Sequence, residues 1–256
     1  MTQYIAKWPN NEGIIEWTAI ENGTWGTLIT RQSEIVKNRA CNEYLSGLDE
    51  LCLSKNTVPQ LTEINKILQK TGWKMLPVSG TVNITEFFTM LKNKTFPVAN
   101  FIRVPEELDY LQQPDVFHEL FGHGPLLLNP YYADFMQWYG AMALEFSPKK
   151  RKIISRLFWY TIEFGLLDTS EGLRIFGGGI LSSYTETIFS LESNEPVRRP
   201  FDLNTVLNTD YDYKKIQPNY FILGSIDALF KLQSDDVLSQ LAGIDDDKIQ
   251  ETFIIC

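Results

Sequence analysis

The sequence predicts a mainly helical protein, a single domain with minor, short strands. Three observations carry this expectation. Apolar residues recur at helical spacing through most of the chain. The strand-like runs are short, the clearest being 96–104. No internal repeat, low-complexity tract or clean boundary divides the 256 residues, a length that suits one large domain or two small ones. Hydrophobic residues at 44% and charged residues at 21% match a globular chain and exclude disordered, collagen-like and coiled-coil classes.

Taken in order, residues 27–51 place Leu28, Ile35, Val36, Ala40, Tyr44, Leu45, Leu48 and Leu51 near helical spacing. Residues 60–70 do the same with Leu61, Ile64, Ile67 and Leu68, and Thr71-Gly72 supplies a stop. The stretch 77–82 reads as a loop. Asn83 with Glu86 three residues on reads as an N-cap with a reciprocal acid, opening a helix through Lys92. Residues 96–104 form a short strand leading to Pro105, and 114–124 a helix. Asn129-Pro130 opens a second helix to about residue 146, and Ser147-Pro148 a third to about residue 167. The interior of the third, 157–164, is apolar almost all round, which requires burial. Gly177-Gly178-Gly179 reads as a flexible turn, and 199–256 as short helices and turns.

Charge and composition narrow the function classes. The net charge is −9, and the one dense basic run, Lys149-Lys150-Arg151-Lys152, reads as a solvated helix start. Nucleic acid and anionic membranes are therefore poor partners. Asp245-Asp246-Asp247 reads as a soluble tail. No apolar run approaches the roughly 18 residues of a membrane span, and the first eight residues lack a secretion signal. Three scattered cysteines, Cys41, Cys52 and Cys256, offer neither a disulfide framework nor a cysteine zinc site. A reducing cytoplasm is the expected location.

The only two histidines, His118 and His123, fall in one six-residue window, His118-Glu119-Leu120-Phe121-Gly122-His123. In the zinc-protease pattern the histidines are four residues apart and share a helix face. Here they are five apart, and at about 100° per residue a regular helix would aim them roughly 140° apart. Convergence requires a π-bulge or unwinding near Gly122. Glu163 stands within the most apolar helix, where a charge needs a partner or a metal. Two imidazoles and one carboxylate match the facial triad of non-haem Fe(II) oxygenases. An ordinary ion pair would also account for Glu163, and two unconnected histidines for the window.

The segment Pro114-Asp115-Val116-Phe117-His118-Glu119-Leu120-Phe121-Gly122-His123-Gly124-Pro125-Leu126 resembles the metal-binding segment of the tetrahydrobiopterin-dependent aromatic amino acid hydroxylases. Trp159-Tyr160-Thr161-Ile162-Glu163-Phe164-Gly165-Leu166 resembles the segment carrying that family's third iron ligand. Further similarity lies in 39–48, Thr71-Gly72-Trp73, Phe101-Ile102-Arg103 and Gly179-Ile180-Leu181-Ser182-Ser183. It covers about 22–230, with 1–21 and 231–256 as peripheral segments of one catalytic domain over 1–256. The chain looks like the short bacterial members, without the regulatory domain or tetramerising heptad of the animal ones.

The resemblance implies hydroxylation of L-phenylalanine at C4 to L-tyrosine, with Fe(II), tetrahydrobiopterin or a related reduced pterin, and O2 as cosubstrate. The family's route passes through an Fe(IV)=O species. Carried over by position, His118, His123 and Glu163 hold the iron. Arg103 pairs with the substrate carboxylate, a task that suits a planar guanidinium. Pro114, Trp159, Phe164 and Gly179 wall the substrate ring. Asp115 and Ser182 orient the ligands, and Ser182 also adjoins the substrate. Gly80, Val82 and Phe87 lie along the pterin, and Glu119 reaches it through water. Tyr110 sits on a mobile loop. Phe158, Leu111 and Ile84 depart from the tyrosine, threonine and serine of animal members. Ile222 falls at a pocket position where its apolar side chain suits phenylalanine but also tryptophan. The implied partners are small molecules, with the protein a monomer or small homo-oligomer. Tryptophan hydroxylation, a zinc-dependent hydrolase and a catalytically silent binding protein remain the alternatives.

Overall fold

Most helices open at a polar residue that accepts from the otherwise unpaired amides of the first turn. The computed structural model describes residues 4–109 and 113–244. Helix α1 (Ala19–Val36) begins at a capping box in which Thr18 and Glu21 satisfy each other's amides. Asn83 caps α4 (Ile84–Lys92) by accepting from the Glu86 amide at 2.9 Å. Asn129 caps α5 (Pro130–Leu144), and Ser147 caps α6 (Pro148–Phe158), each followed by proline in the first turn. These three starts match the sequence expectation, except that Glu86 accepts from the Asn83 side-chain amide at 3.2 Å rather than from its backbone amide.

The periodic run at 27–51 divides between α1 and α2 (Asn42–Leu51). Between them Ala40 bridges Ile175, and the Cys41 amide donates to the Ile175 carbonyl at 2.9 Å. The periodicity survives the break because both helices bury Leu28, Val36, Tyr44 and Leu51 in one core. Helix α3 (Leu61–Leu68) tightens into a 3-10 turn over Gln69–Thr71.

Strands are more numerous than expected. Strand β1 (Lys74–Val78) takes in part of the expected loop at 77–82 and pairs in parallel with β2 (Thr95–Ala99), across the α4 crossover. Pro77 pairs with Val98, and Pro97 with Leu76, in this two-stranded sheet, where missing amide donors are tolerated. The expected strand at 96–104 stops at Ala99. The third long helix ends at Glu163 rather than near residue 167. Gly165–Thr169 is strand β3, which turns into β4 (Gly172–Ile175). With β5 (Val197–Pro200) and β6 (Asn219–Leu223), they form a sheet ordered β4-β3-β6-β5. The triple glycine is no flexible turn, since Gly178 and Gly179 start the short helix α7 (Gly178–Leu181). Helix α8 (Tyr184–Glu192) follows, then α9 (Leu203–Leu207), α10 (Ala228–Lys231) and α11 (Asp235–Ala242). Ile222 pairs in register with Leu166 and Pro200 within the sheet.

The basic run is not merely solvated. Arg151 donates to the Ala143 and Leu144 carbonyls at 3.1 and 3.0 Å and so closes the end of α5. The apolar stretch that ends α6 and continues past it is buried as expected, from Leu157 through Ile162. Asp245 to Asp247 lie outside the described residues, as do Tyr110, Leu111 and Cys256.

Asn83→Ala is expected to lower stability by about 1 kcal/mol, read as a lower urea midpoint at unchanged slope.

Candidate metal centre

Both segments that carry the centre depart from α-helical winding. Residues His118–His123 form a π-helical turn, in which the Gly124 amide donates to the Glu119 carbonyl at 3.2 Å. Trp159–Glu163 forms another, with the Phe164 amide donating to the Trp159 carbonyl at 2.8 Å. Each adds a residue to a turn. The first change brings a five-residue histidine spacing onto one side, as the sequence required.

The two Nε2 atoms stand 3.2 Å apart. Glu163 Oε1 lies 3.2 Å from His123 Nε2, and its Oε2 lies 3.8 Å from His118 Nε2. One ligand atom from each residue falls within a 4.8 Å span. Bonds of roughly 2.1 Å at right angles separate neighbouring donors by about 3.0 Å. The three side chains therefore fit one face of a six-coordinate ion and leave its other face open.

The neighbours set the ligands' orientation. Ser182 Oγ donates to the Gly178 carbonyl at 2.9 Å, so it accepts from His118 Nδ1 at 2.8 Å. That leaves the lone pair of His118 on Nε2, toward Glu163. Burial, followed by the neighbouring His123, pushes the His118 pKa down to about 4, keeping the ring neutral near pH 7. The buried Tyr132 hydroxyl is 3.4 Å from His123 Nδ1. Burial opposes ionisation of Glu163, but the two histidines outweigh it and hold the carboxyl below its ordinary value.

Asp115 links this floor to Arg103. Its Oδ1 accepts from the His118 amide at 3.0 Å and from Arg103 Nη2 at 3.0 Å, while Oδ2 accepts from Arg103 Nε at 2.9 Å and from the Arg103 amide at 3.0 Å. Both side chains are buried, so the pairing is bidentate and dry. One edge of the guanidinium serves Asp115; Nη1 bonds to none of the described residues.

A cavity of about 450 Å³ opens above the centre, a size suited to a small molecule. Its lining includes six residues assigned to the substrate, Arg103, Pro114, Trp159, Phe164, Gly179 and Ser182, along with His118 and Glu163. Trp159 and Phe164 lie 4.5 Å apart, centroid to centroid. Ile222 is not among the residues that line the cavity, unlike the pocket position expected for it; it is half-buried and packs against the main hydrophobic core.

The residues assigned to the pterin are more scattered. Phe87 packs edge-on against Phe158 at 5.2 Å, and Phe158 lies 6.4 Å from the His123 ring. Gly80 and Val82 precede α4, and neither lines the cavity. Glu119 is buried on the first π-turn, and burial raises its carboxyl well above the ordinary range, helped by the charges of Glu163 and Asp115.

Two features escaped the sequence reading. A Cβ on Gly178 would fall 2.4 Å from His123 Cε1, and one on Gly122 would fall 2.6 Å from the Gly178 carbonyl oxygen. The bare backbone of α7 thus lies directly against the first π-turn. Tyr132 beside His123 gave no sequence signal of its own.

Gly178→Ala is expected to displace the His123 ring and cost about 1–3 kcal/mol, visible as a lower melting temperature together with weakened Co(II) binding. Asp115→Asn leaves Arg103 buried without its counter-charge and is expected to cost about 3–5 kcal/mol, measured by urea unfolding at pH 7.

The comparisons with known proteins agree with this geometry. The sequence model of a family described as biopterin-dependent aromatic amino acid hydroxylase matches residues 3–236. The phenylalanine-4-hydroxylase of Pseudomonas aeruginosa is 47% identical over 239 residues, which are 93% of this chain and 91% of that protein. The apo structure of the cold-active phenylalanine hydroxylase from Colwellia psychrerythraea superposes with a TM-score of 0.90 at 45% identity, covering 93% of this chain and 92% of that one. A structure of Chromobacterium violaceum phenylalanine hydroxylase with bound iron(III) and 7,8-dihydrobiopterin gives 0.85 at 41% identity, covering 92% and 86%.

Proposed function

We propose the reaction from one premise: the chain belongs to the biopterin-dependent aromatic amino acid hydroxylases. It hydroxylates L-phenylalanine at C4 of the ring to give L-tyrosine, with O2, a reduced pterin and Fe(II). The observation that carries the reading is the convergence of His118, His123 and Glu163 at the floor of a cavity bearing Arg103.

His118, His123 and Glu163 would hold the iron. Two neutral nitrogens and one carboxylate suit a divalent ion, and the open face leaves room for O2. When bound, the ferrous ion and the reduced pterin supply the electrons that activate O2. The chain does the rest by placement. Ser182 fixes the His118 tautomer, and Asp115 braces both the His118 amide and Arg103. The free edge of Arg103 takes the substrate carboxylate. Pro114, Trp159, Phe164 and Gly179 confine the ring, so that its far end points to the open face of the ion. Restricting water there protects a reactive oxidant from side reactions. Phe87 offers a ring for the pterin to stack on, with Gly80, Val82 and Glu119 beside it.

The partners are small molecules. We assign the protein to the cytoplasm, since Fe(II) and a reduced pterin persist best under reducing conditions. Among the described residues, no helix is long and apolar enough to cross a membrane.

The test is anaerobic loading with Fe(II), followed by reduced pterin, O2 and each aromatic amino acid in turn. Tyrosine is expected from phenylalanine, coupled to pterin oxidation. His118→Ala is expected to lose both iron, by metal analysis, and tyrosine formation; a variant that keeps both would remove the assignment.

A further inference from the structure

Glu186 lines the same cavity as His118 and Glu163 and is 6% exposed, yet the reaction described so far gives it no part. It stands three residues after Ser183, the N-cap of α8, which is the position of a capping-box acid. It does not make that bond. In α1 the corresponding Glu21 accepts from the Thr18 amide at 2.7 Å. In α8 the Ser183 amide donates to the Ile180 carbonyl at 3.0 Å instead. Glu186 turns toward β6, where its Oε1 accepts from the Gln217 amide at 3.1 Å and from the Tyr220 hydroxyl.

Gln217 is itself pinned. Its Nε2 donates to the Asp212 and Lys215 carbonyls at 3.0 and 2.6 Å, and its Oε1 accepts from Trp159 Nε1 at 3.1 Å. The carboxylate is thus held by Gln217, just before β6, which also fastens Trp159 of the cavity's aromatic wall. Such fixing restricts the rotamer freedom of a side chain that caps nothing.

The charges nearby show what is missing. Of the cavity's other ionic side chains, Arg103 pairs with Asp115, Asp109 with Arg31, and Lys215 with Asp212, while Glu163 faces the histidines. No cation among the described residues pairs with Glu186, and its Oε2 accepts no hydrogen bond from them. A buried carboxylate in that state is unfavourable as an anion. Burial raises its pKa against the two donors on Oε1. A cation brought in by a ligand would reverse the balance. An α-amino acid brings one, its ammonium, at a fixed distance from the carboxylate that Arg103 would take.

We propose that Glu186 receives the α-ammonium of the substrate through Oε2 and forms, with Arg103, a clamp that selects α-amino acids over aromatic acids lacking the amine. The inference rests on the cavity being the amino-acid site. A hydrogen bond to a charged group is worth about 1.5–3 kcal/mol, or roughly 10- to 100-fold in affinity.

The test titrates L-phenylalanine and 3-phenylpropionate, which lacks only the ammonium, into the Fe(II)-loaded protein under anaerobic conditions. The wild type is expected to favour phenylalanine by about ten-fold or more. Glu186→Gln keeps an oxygen acceptor for Gln217 and Tyr220. It is expected to weaken phenylalanine by a similar factor, to leave 3-phenylpropionate nearly unchanged, and to raise KM with kcat at saturation close to wild type. Equal weakening of both ligands, or of neither, overturns the clamp. If the variant does not fold, the wild-type comparison decides, since equal binding of the two ligands also overturns it. A wild type that turns over phenylalanine while failing these tests loses only the clamp, whereas one that turns over no aromatic amino acid loses the reaction on which the clamp rests.

Discussion

The structure depends on one backbone constraint: the first metal-bearing turn must be wound one residue wide while lying against a second stretch of bare backbone. Without the wider turn, His118 and His123 would diverge. Without the contact between Gly122 and Gly178, the turn would have no wall, and the His123 ring no fixed plane. The π-turn is less favourable than α-helix in isolation. It persists here because nearly everything around it is buried, including Phe117, Leu120, Phe121 and Leu126. Packing thus sustains a local geometry that chain propensity alone would not choose.

The second requirement is electrostatic. Arg103 and Glu163 line the cavity, and Asp115 and Glu119 lie buried near them, so that charges gather in a region from which water is largely excluded. Such a group is tolerable only if each charge is answered. Asp115 answers Arg103 along one edge and the His118 amide along another, so a single buried acid fixes both a cation of the cavity wall and the start of the metal-bearing turn. Glu163 faces His118 and His123, and a divalent ion held by the three would supply its counter-charge. Glu119 is the exception: its carboxyl is pushed toward the neutral form by burial and by two like charges.

Much of this was legible in the sequence. The histidine spacing and Gly122 together implied a widened turn, because regular helical geometry could not reconcile them with a shared target. The starts at Asn83, Asn129 and Ser147 were readable because capping chemistry is local. The four-stranded sheet was not. Its strands are four or five residues long, and their partners lie far away in sequence, as with Gly165 beside Phe221. β1 was obscured by Pro77, which reads as a loop former and is tolerated only because the sheet has two strands. Gly178 was read as flexibility, although its missing side chain serves a rigid contact. Glu186 was hidden by a pattern that imitates a cap.

The last of these explains how the cavity divides its work. Its floor is built from two π-turns and α7, close in space and buried in the core, so its geometry is set by packing. Its upper wall combines the N-terminal end of α8 with the 211–217 stretch, and these are joined by side-chain hydrogen bonds through Gln217. Packing resists displacement in all directions, whereas hydrogen bonds specify position along particular vectors. The floor is therefore suited to holding an ion, a task that needs one invariant arrangement. The wall is suited to reading a substrate's polar groups, where single substitutions can alter recognition without disturbing the centre beneath.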